Sequence, residues 1–223
     1  MTYITAEASA VFGAFFFNEN TTSQTPIAGK DIGIVNASTG VVQGFTFSAG
    51  EIDQGGAAIT QKDATGYIKV TEAGHTVADG QIVFIQSANH NGIGVVSGST
   101  GTSFDVATIS YVGDEACTFQ VPSQLELTQA GISNQEFELS WNLSGSVAGT
   151  PAGDIVDWGC VINATKKVET YQRRTLSTGS SWGSFGNGAI LSLSSDDVVS
   201  MFFNSDDVNA LTHRVGGLRV QRT

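Results

Sequence analysis

Three histidines, two cysteines and three adjacent pairs of carboxylates are the groups in this chain whose types could carry acid-base, metal or redox chemistry. His75, His90 and His213 sit in the turn-like stretches EAGHTVADG, SANHNG and HRVGG, where an imidazole more readily supports a turn than moves a proton. No GxSxG, HExxH or P-loop occurs, so the common signatures of hydrolases, zinc proteases and nucleotide binders are absent. The acid pairs are Asp114 with Glu115, Asp196 with Asp197 and Asp206 with Asp207. Neighbours on a strand point to opposite faces, and neighbours in a turn cap backbone amides, so neither arrangement is that of a glycosidase. The NSDDVN turn offers calcium the hard oxygens of Asp206 and Asp207, without the spacing of an EF-hand. Cys117 and Cys160 have no CxxC partner and no neighbouring histidine, which predicts two buried thiols rather than a zinc or redox site. The residues therefore point away from catalysis, and no cofactor is expected.

Two features could serve recognition instead. Lys166, Lys167, Arg173 and Arg174 form the one local concentration of positive charge. On a strand pair it either meets the acidic face of a neighbouring subunit or stands as a solvated edge that discourages strand addition. Trp182 and Phe185 lie in the Gly/Ser-rich stretch STGSSWGSFGNG. Such rings either form an aromatic platform for a sugar face or a partner's pocket, or cap the end of the core. Asn20, Asn36, Asn142 and Asn163 open Asn-x-Ser/Thr sequences, which a chain rich in these residues contains without any secretory meaning.

The net charge is −11, and residues 1–118 carry −8 of it against −3 for residues 119–223. An acidic surface repels phosphate backbones and anionic lipid, so neither nucleic acid nor a membrane is an expected partner. The opening MTYITAEASAVFGAFFF has no basic region ahead of its apolar stretch and no span of about 18 apolar residues, so export and membrane crossing are not expected.

The elements that position these groups read as strands. Glycine numbers 27 against 3 prolines, 13 residues are Phe, and only 14% are charged, a composition suited to short twisted strands and tight turns. In EFELSWNL, Phe137, Leu139, Trp141 and Leu143 alternate with polar residues; IVDWGCVI repeats the pattern with Val156, Trp158, Cys160 and Ile162, and LRVQR with Leu218 and Val220. VVSMFF is apolar on both faces, as in a strand covered on both sides or one lining a subunit contact. PSQLELTQAG reads as a strand rather than a short helix, because Leu125 and Leu127 alternate. Between Ile59 and Phe119 the strands shorten to GYIKV, QIVFIQ, GIGVVS, TSFDVAT and ACTFQ, the scale of a small barrel. The expected fold class is all-β: a discontinuous jelly-roll β-sandwich from residues 1–57 and 121–223, with an inserted small SH3-like β-barrel at 58–120. Phe137, Leu139, Trp141, Trp158, Leu191, Leu193, Leu218 and Val220 are its expected core. A module inserted at one point should stand away from the rest and tolerate replacement by a short loop.

Two stretches carry a family resemblance. The segment from Asp63 to Phe119 resembles a small β module of tailed-phage structural proteins, in His75, the Asp79-Gly80 turn, Val83 with Ile85, Asn91-Gly92, Val95, and Phe104 with Val106. Thr76 and Val77 replace that module's usual Gly-Leu. FGAFFFNENTTSQTPI, the Leu125, Leu127, Gly131 entry, FELSWNLSG, VINATKKV, LSLSSDDVVSMFF and GGLRVQRT resemble the phage jelly-roll domains similar to the trimeric heads of the C1q and tumour necrosis factor type. Asp196 stands where that pattern has Gly. The resemblance implies a homotrimeric virion protein, assembled in the host cytoplasm and borne on the capsid beside the major capsid protein, or else on a tail fibre or baseplate that meets a host-surface glycan. The two-sided strands AVFGAFFF and VVSMFF are the expected suppliers of the trimer contact, through Phe15, Phe16, Phe17, Met201, Phe202 and Phe203.

Overall fold

The computed structural model describes residues 11–17, 31–33, 37–52, 56–147, 155–175, 181–206 and 211–223. Their strands fall into three blocks along the chain. The first holds β1 (Phe12–Phe17), β2 (Asp31–Gly33), β3 (Ala37–Gln43) and β4 (Phe45–Ser48). The second holds β5 (Glu51–Ile52), β6 (Ala58–Gln61), β7 (Tyr67–Thr71), β8 (Ile82–Gln86), β9 (Gly92–Ser97), β10 (Ser103–Ser110), β11 (Glu115–Ala116) and β12 (Thr118–Val121). The third holds β13 (Gln124–Leu127), β14 (Gln135–Val147), β15 (Ile155–Ile162), β16 (Thr165–Lys166), β17 (Gln172–Thr175), β18 (Ser181–Leu193), β19 (Val198–Ser205) and β20 (Leu211–Arg222). A single 3-10 turn, Val168–Thr170, is the helical part of the described residues.

The first and third blocks interleave into two antiparallel sheets. One runs β18-β14-β20-β1-β3; the other runs β16-β15-β19-β13-β4, with β17 also on β15 and β2 also on β19. They pack face to face because alternation puts one apolar set from each sheet between them. Phe137, Leu139 and Trp141 of β14 and Leu218 and Val220 of β20 meet Val156, Trp158 and Cys160 of β15 and Val199, Met201 and Phe203 of β19, all buried. Of the expected core, seven residues are buried in this cluster, and Leu191 packs against it half-buried. The protein is all-β, with a jelly-roll-like sandwich. Gln124–Leu127 is a strand, as its alternation predicts.

The second block makes a separate eight-stranded sheet, β11-β6-β7-β10-β9-β8-β12-β5. It curls nearly shut because β11 and β12 are two halves of one bent segment, the first paired with β6 and the second with β8. At the bend the Cys117 amide donates to the Ala57 carbonyl at 3.1 Å. Inside lie Ile59, Ile68, Val70, Val83, Ile85 and Val106, with Phe104 and Phe119 edge to face at 5.1 Å. Cys117 belongs to this core and Cys160 to the sandwich core, so the two thiols are buried apart and unbridged. Burial holds the Cys160 thiol well above its usual range.

The barrel does not stand away from the sandwich. Two strands, one from each body, are apolar on both faces and lie back to back. In β8, Val83 and Ile85 face the barrel interior while Ile82 and Phe84 face out; in β19, Val199, Met201 and Phe203 face the sandwich core while Val198 and Phe202 face out. Ile82, Phe84, Val161, Val198 and Phe202 close into a third buried cluster. Buried polar groups flank it. Gln124 Oε1 accepts the Ile82 amide at 3.0 Å, Gln120 Oε1 accepts the Gly33 amide at 3.1 Å, and Ser200 Oγ donates to the Ser123 carbonyl at 3.0 Å. Gly33 has to be glycine: a Cβ there would lie 2.8 Å from Pro122 and 3.0 Å from Phe84. The two-sided character of VVSMFF is thus met within one chain. Met201, Phe202 and Phe203 are at most 1% exposed and present no surface to another subunit, which corrects their assignment to a trimer contact. The side chains of Phe15, Phe16 and Phe17 lie outside the described residues.

This seam reverses the expected tolerance of the insert. Replacing residues 60–118 with a short Gly/Ser loop uncovers Val161, Val198 and Phe202, and the shortened protein should bind a hydrophobic dye and aggregate on concentration. Phe202→Ala should cost about 3–5 kcal/mol in urea unfolding, as should Trp158→Ala in the sandwich core. A loop-swapped chain as stable and soluble as the parent would refute the coupling.

Candidate functional site

The group with the densest polar environment is Glu115 at the start of the bent β11–β12 segment. It faces the 87–91 turn, whose short loop leaves backbone amides without strand partners. Glu115 Oε1 accepts from Ser87 Oγ at 2.6 Å and from the Asn89 and His90 amides, each at 3.0 Å; Oε2 accepts from Asn89 Nδ2 at 3.1 Å. The Val112 amide donates to His90 Nε2 at 3.0 Å, so the ring carries its proton on Nδ1 and donates it to Glu115. His90 is 1% exposed and stacks on Tyr111 at 5.9 Å. The Ser87, His90 and Glu115 set has the residue types of a nucleophilic triad but not its order. Ser87 touches the carboxylate rather than the imidazole, and both ring nitrogens are occupied, so His90 has no free lone pair with which to take a proton from Ser87. The carboxylate clamps a turn.

The other predicted groups are likewise committed to backbone and neighbours. His75 accepts the Val77 amide on Nδ1 at 3.2 Å and sits edge-on to Phe104 at 5.3 Å, supporting its turn. Asp114 accepts from the Tyr111 hydroxyl at 2.7 Å, away from its neighbour Glu115. Asp197 accepts from Asn163 Nδ2 at 2.5 Å and the Ser194 amide at 2.7 Å; Asp196 takes a positive φ of 71° in the same turn, where the resembling pattern has glycine. Asp206 accepts the Ile155 amide at 2.7 Å, and Asp207 lies outside the described residues. Among the described residues no group of three or more His, Cys, Asp or Glu is arranged to hold a metal ion. The side chain of His213 lies outside them.

The basic cluster is on the edge of the second sheet, along β16, the 3-10 turn and β17. Arg173 forms a two-pronged pair with Asp157 across the strands, at 2.7 and 2.8 Å, which raises its already high basicity. Lys166 lies over the rings of Phe202 and Tyr171, at 5.1 and 5.8 Å. The Lys167 amide donates to the Cys160 carbonyl at 3.0 Å, and Arg174 sits beside Val156 in the register. Trp182 and Phe185 are not in a loop. Their backbone belongs to β18, opposite Gly145 and Leu143 of β14, and their side chains lie outside the described residues.

The outer face of the five-stranded sheet carries an open depression. Alternation sends Glu138, Ser140 and Asn142 outward from β14, beside Gln221, Arg219 and Gly217 of β20. Ala14 of β1 lies next to Arg219 in the register and is buried; the Arg219 guanidinium covers the Phe12 ring at 5.1 Å. The depression is lined by Ser140, Trp141, Asn142, Gly217, Leu218 and Arg219. It is open, and no acid-base pair stands beside its Ser140 hydroxyl, so it suits a protein contact better than enclosure of a substrate.

Sequence reasoning read Glu115 only as half of an acid pair and missed Gln120, Ser123 and Gln124, because a side chain that satisfies a distant backbone amide leaves no periodic trace. No known protein-family description matches this chain, and no curated protein is similar to it.

Glu115 yields a pH prediction. The Ser87 hydroxyl above all, with His90 and Asn89, holds its carboxyl at about 2 against an ordinary 4.5. A group depressed on folding stabilises the fold above its unfolded value, so this contribution is full above about 4.5 and lost as the pH falls towards about 2. Melting temperature measured from pH 2 to 6 should climb more steeply for the parent than for Glu115→Gln. Parallel curves would remove Glu115 from its role.

Proposed function

We propose that this chain is a non-enzymatic structural protein of a tailed-phage particle, a homotrimeric capsid decoration or head-fibre subunit assembled in the host cytoplasm and seated on the major capsid protein. The observation that carries the reading is the strand order. The first and last described strands, β1 and β20, pair inside one five-stranded sheet, whose inner face closes a jelly-roll-like sandwich and whose outer face is open. A jelly-roll-like sandwich supports the resemblance in short motifs on which this reading rests. Ser140 and Asn142, small and accessible on that face, let another subunit approach closely, and β1, with Phe15, Phe16 and Phe17, belongs to the same sheet. The basic edge at Lys166, Lys167, Arg173 and Arg174 supplies an electrostatic contact to an acidic neighbour on the particle.

Native mass spectrometry of the purified chain should give a trimer or a multiple of three. Ser140→Arg places a charge in the trough without touching the core; it should abolish the threefold species and leave the circular dichroism spectrum unchanged. An electron-microscopy map of the particle should place the chain on the capsid. Its location on the tail, with binding to host-surface glycan lost in Trp182→Ala, would replace the capsid assignment by receptor binding.

A further inference from the structure

The edge of the five-stranded sheet at β18 is built differently from the rest of the surface. β18 runs thirteen residues, Ser181–Leu193, and is terminal in its sheet, hydrogen-bonded to β14 alone among the described residues. Its sequence, SWGSFGNGAILSL, holds no charged residue and no proline, in a chain of net charge −11. Soluble proteins blunt long edges with lysine, proline or bulges, since each unpaired amide and carbonyl is a template for another strand. Here the only irregularity lies at the Leu143/Gly145 step, and roughly 40 Å of edge carries no such guard. Gly186, Asn187, Gly188, Ile190 and Ser192 are exposed. A Cβ built on Gly186 or Gly188 would meet only atoms of β14 among the described residues.

A second observation falls at the same place. The described residues include six exposed large apolar side chains, and two of them lie on this strand or on the turn beside it. Ile190 of β18 is 61% exposed, and Val168, 70% exposed, opens the 3-10 turn that approaches β18. An unguarded backbone edge with an apolar border has the chemistry of a strand-addition interface.

We propose that β18 pairs antiparallel with β18 of a second copy about a twofold axis. A strand edge is complementary to itself under a twofold rotation, and antiparallel pairing places the same uncharged sequence opposite itself. No like charges then face each other, whereas most other surfaces of so acidic a chain would repel a copy. This contact is separate from the threefold one proposed above and goes beyond that reading; with both present the chain closes into a hexamer.

Native mass spectrometry and light scattering on the full chain, over a range of concentrations, test the pairing. The parent should form species with an even number of copies. Ile190→Lys, which sets a charge at an already exposed site, should weaken the even species at least tenfold and leave the threefold species. Val112→Lys, at an equally exposed residue on the barrel, should change nothing, and melting temperatures should match throughout. Should Ile190→Lys fail to fold, Val168→Lys is the substitute, with a weakened even species again expected. Absence of any even species from the parent would overturn the proposal, as would equal association of the Ile190→Lys and Val112→Lys proteins. Loss of only the threefold species in Ser140→Arg would leave the twofold contact standing by itself.

Discussion

The back-to-back contact of β8 with β19 organises this protein. Each strand spends one face on its own core and the other on its neighbour, so three buried clusters share two strands. A strand buried on both faces must be apolar throughout, which is why IVFIQ and VVSMFF lose the alternation seen in β14 and β15. The contact also dictates what its margins can hold. Gly33 is squeezed between Pro122 and Phe84, and Gln120, Ser123, Gln124 and Ser200 can be buried only because each hydrogen-bonds backbone across the junction or beside it. Sandwich and barrel are therefore joined by packing as well as by the chain that links them.

Away from that seam, polar groups act chiefly as turn fasteners. Glu115 gathers the 87–91 turn, Asp197 the 194–197 turn with Asn163, and Asp63 the turn at Thr65 through a 2.7 Å bond to its amide. Lys62 and Lys69 both reach Asp105, at 3.5 and 2.8 Å, and neutralise an otherwise buried carboxylate. A molecule of short strands has many chain reversals, and each reversal strands amides that a carboxylate can satisfy. Much of the acidic composition is accounted for in this way before any ligand is considered.

What remains for function is surface: an open trough on the five-stranded sheet, a basic edge partly neutralised by Asp157, and an uncharged edge strand. Each is extended and open, and each suits contact with another protein surface over the chemistry of a small molecule. In the proposed reading these surfaces serve repeated, symmetric association, since a closed point group buries the same patch in every copy.

The all-β class, the strands FELSWNL, IVDWGCVI and LRVQR, and the residues they bury were legible in the sequence, because a half-buried strand writes its environment as period two. The crowding of short strands between Ile59 and Phe119 marked the stretch that forms its own sheet for the same reason. Tertiary structure decided what covers the second face of VVSMFF: both a subunit contact and an intramolecular one require the same apolar residues, and only the fold shows Phe84 against that strand. It also decided the fate of Trp182 and Phe185, whose Gly/Ser surroundings read as a turn while pairing with the long β14 draws their backbone into a sheet. Local propensity is weak in such stretches, so a partner strand distant in sequence determines their conformation. Hydrogen bonds such as those of Glu115 and Gln124 join residues 25 to 42 positions apart, and no local pattern encodes a contact over that separation.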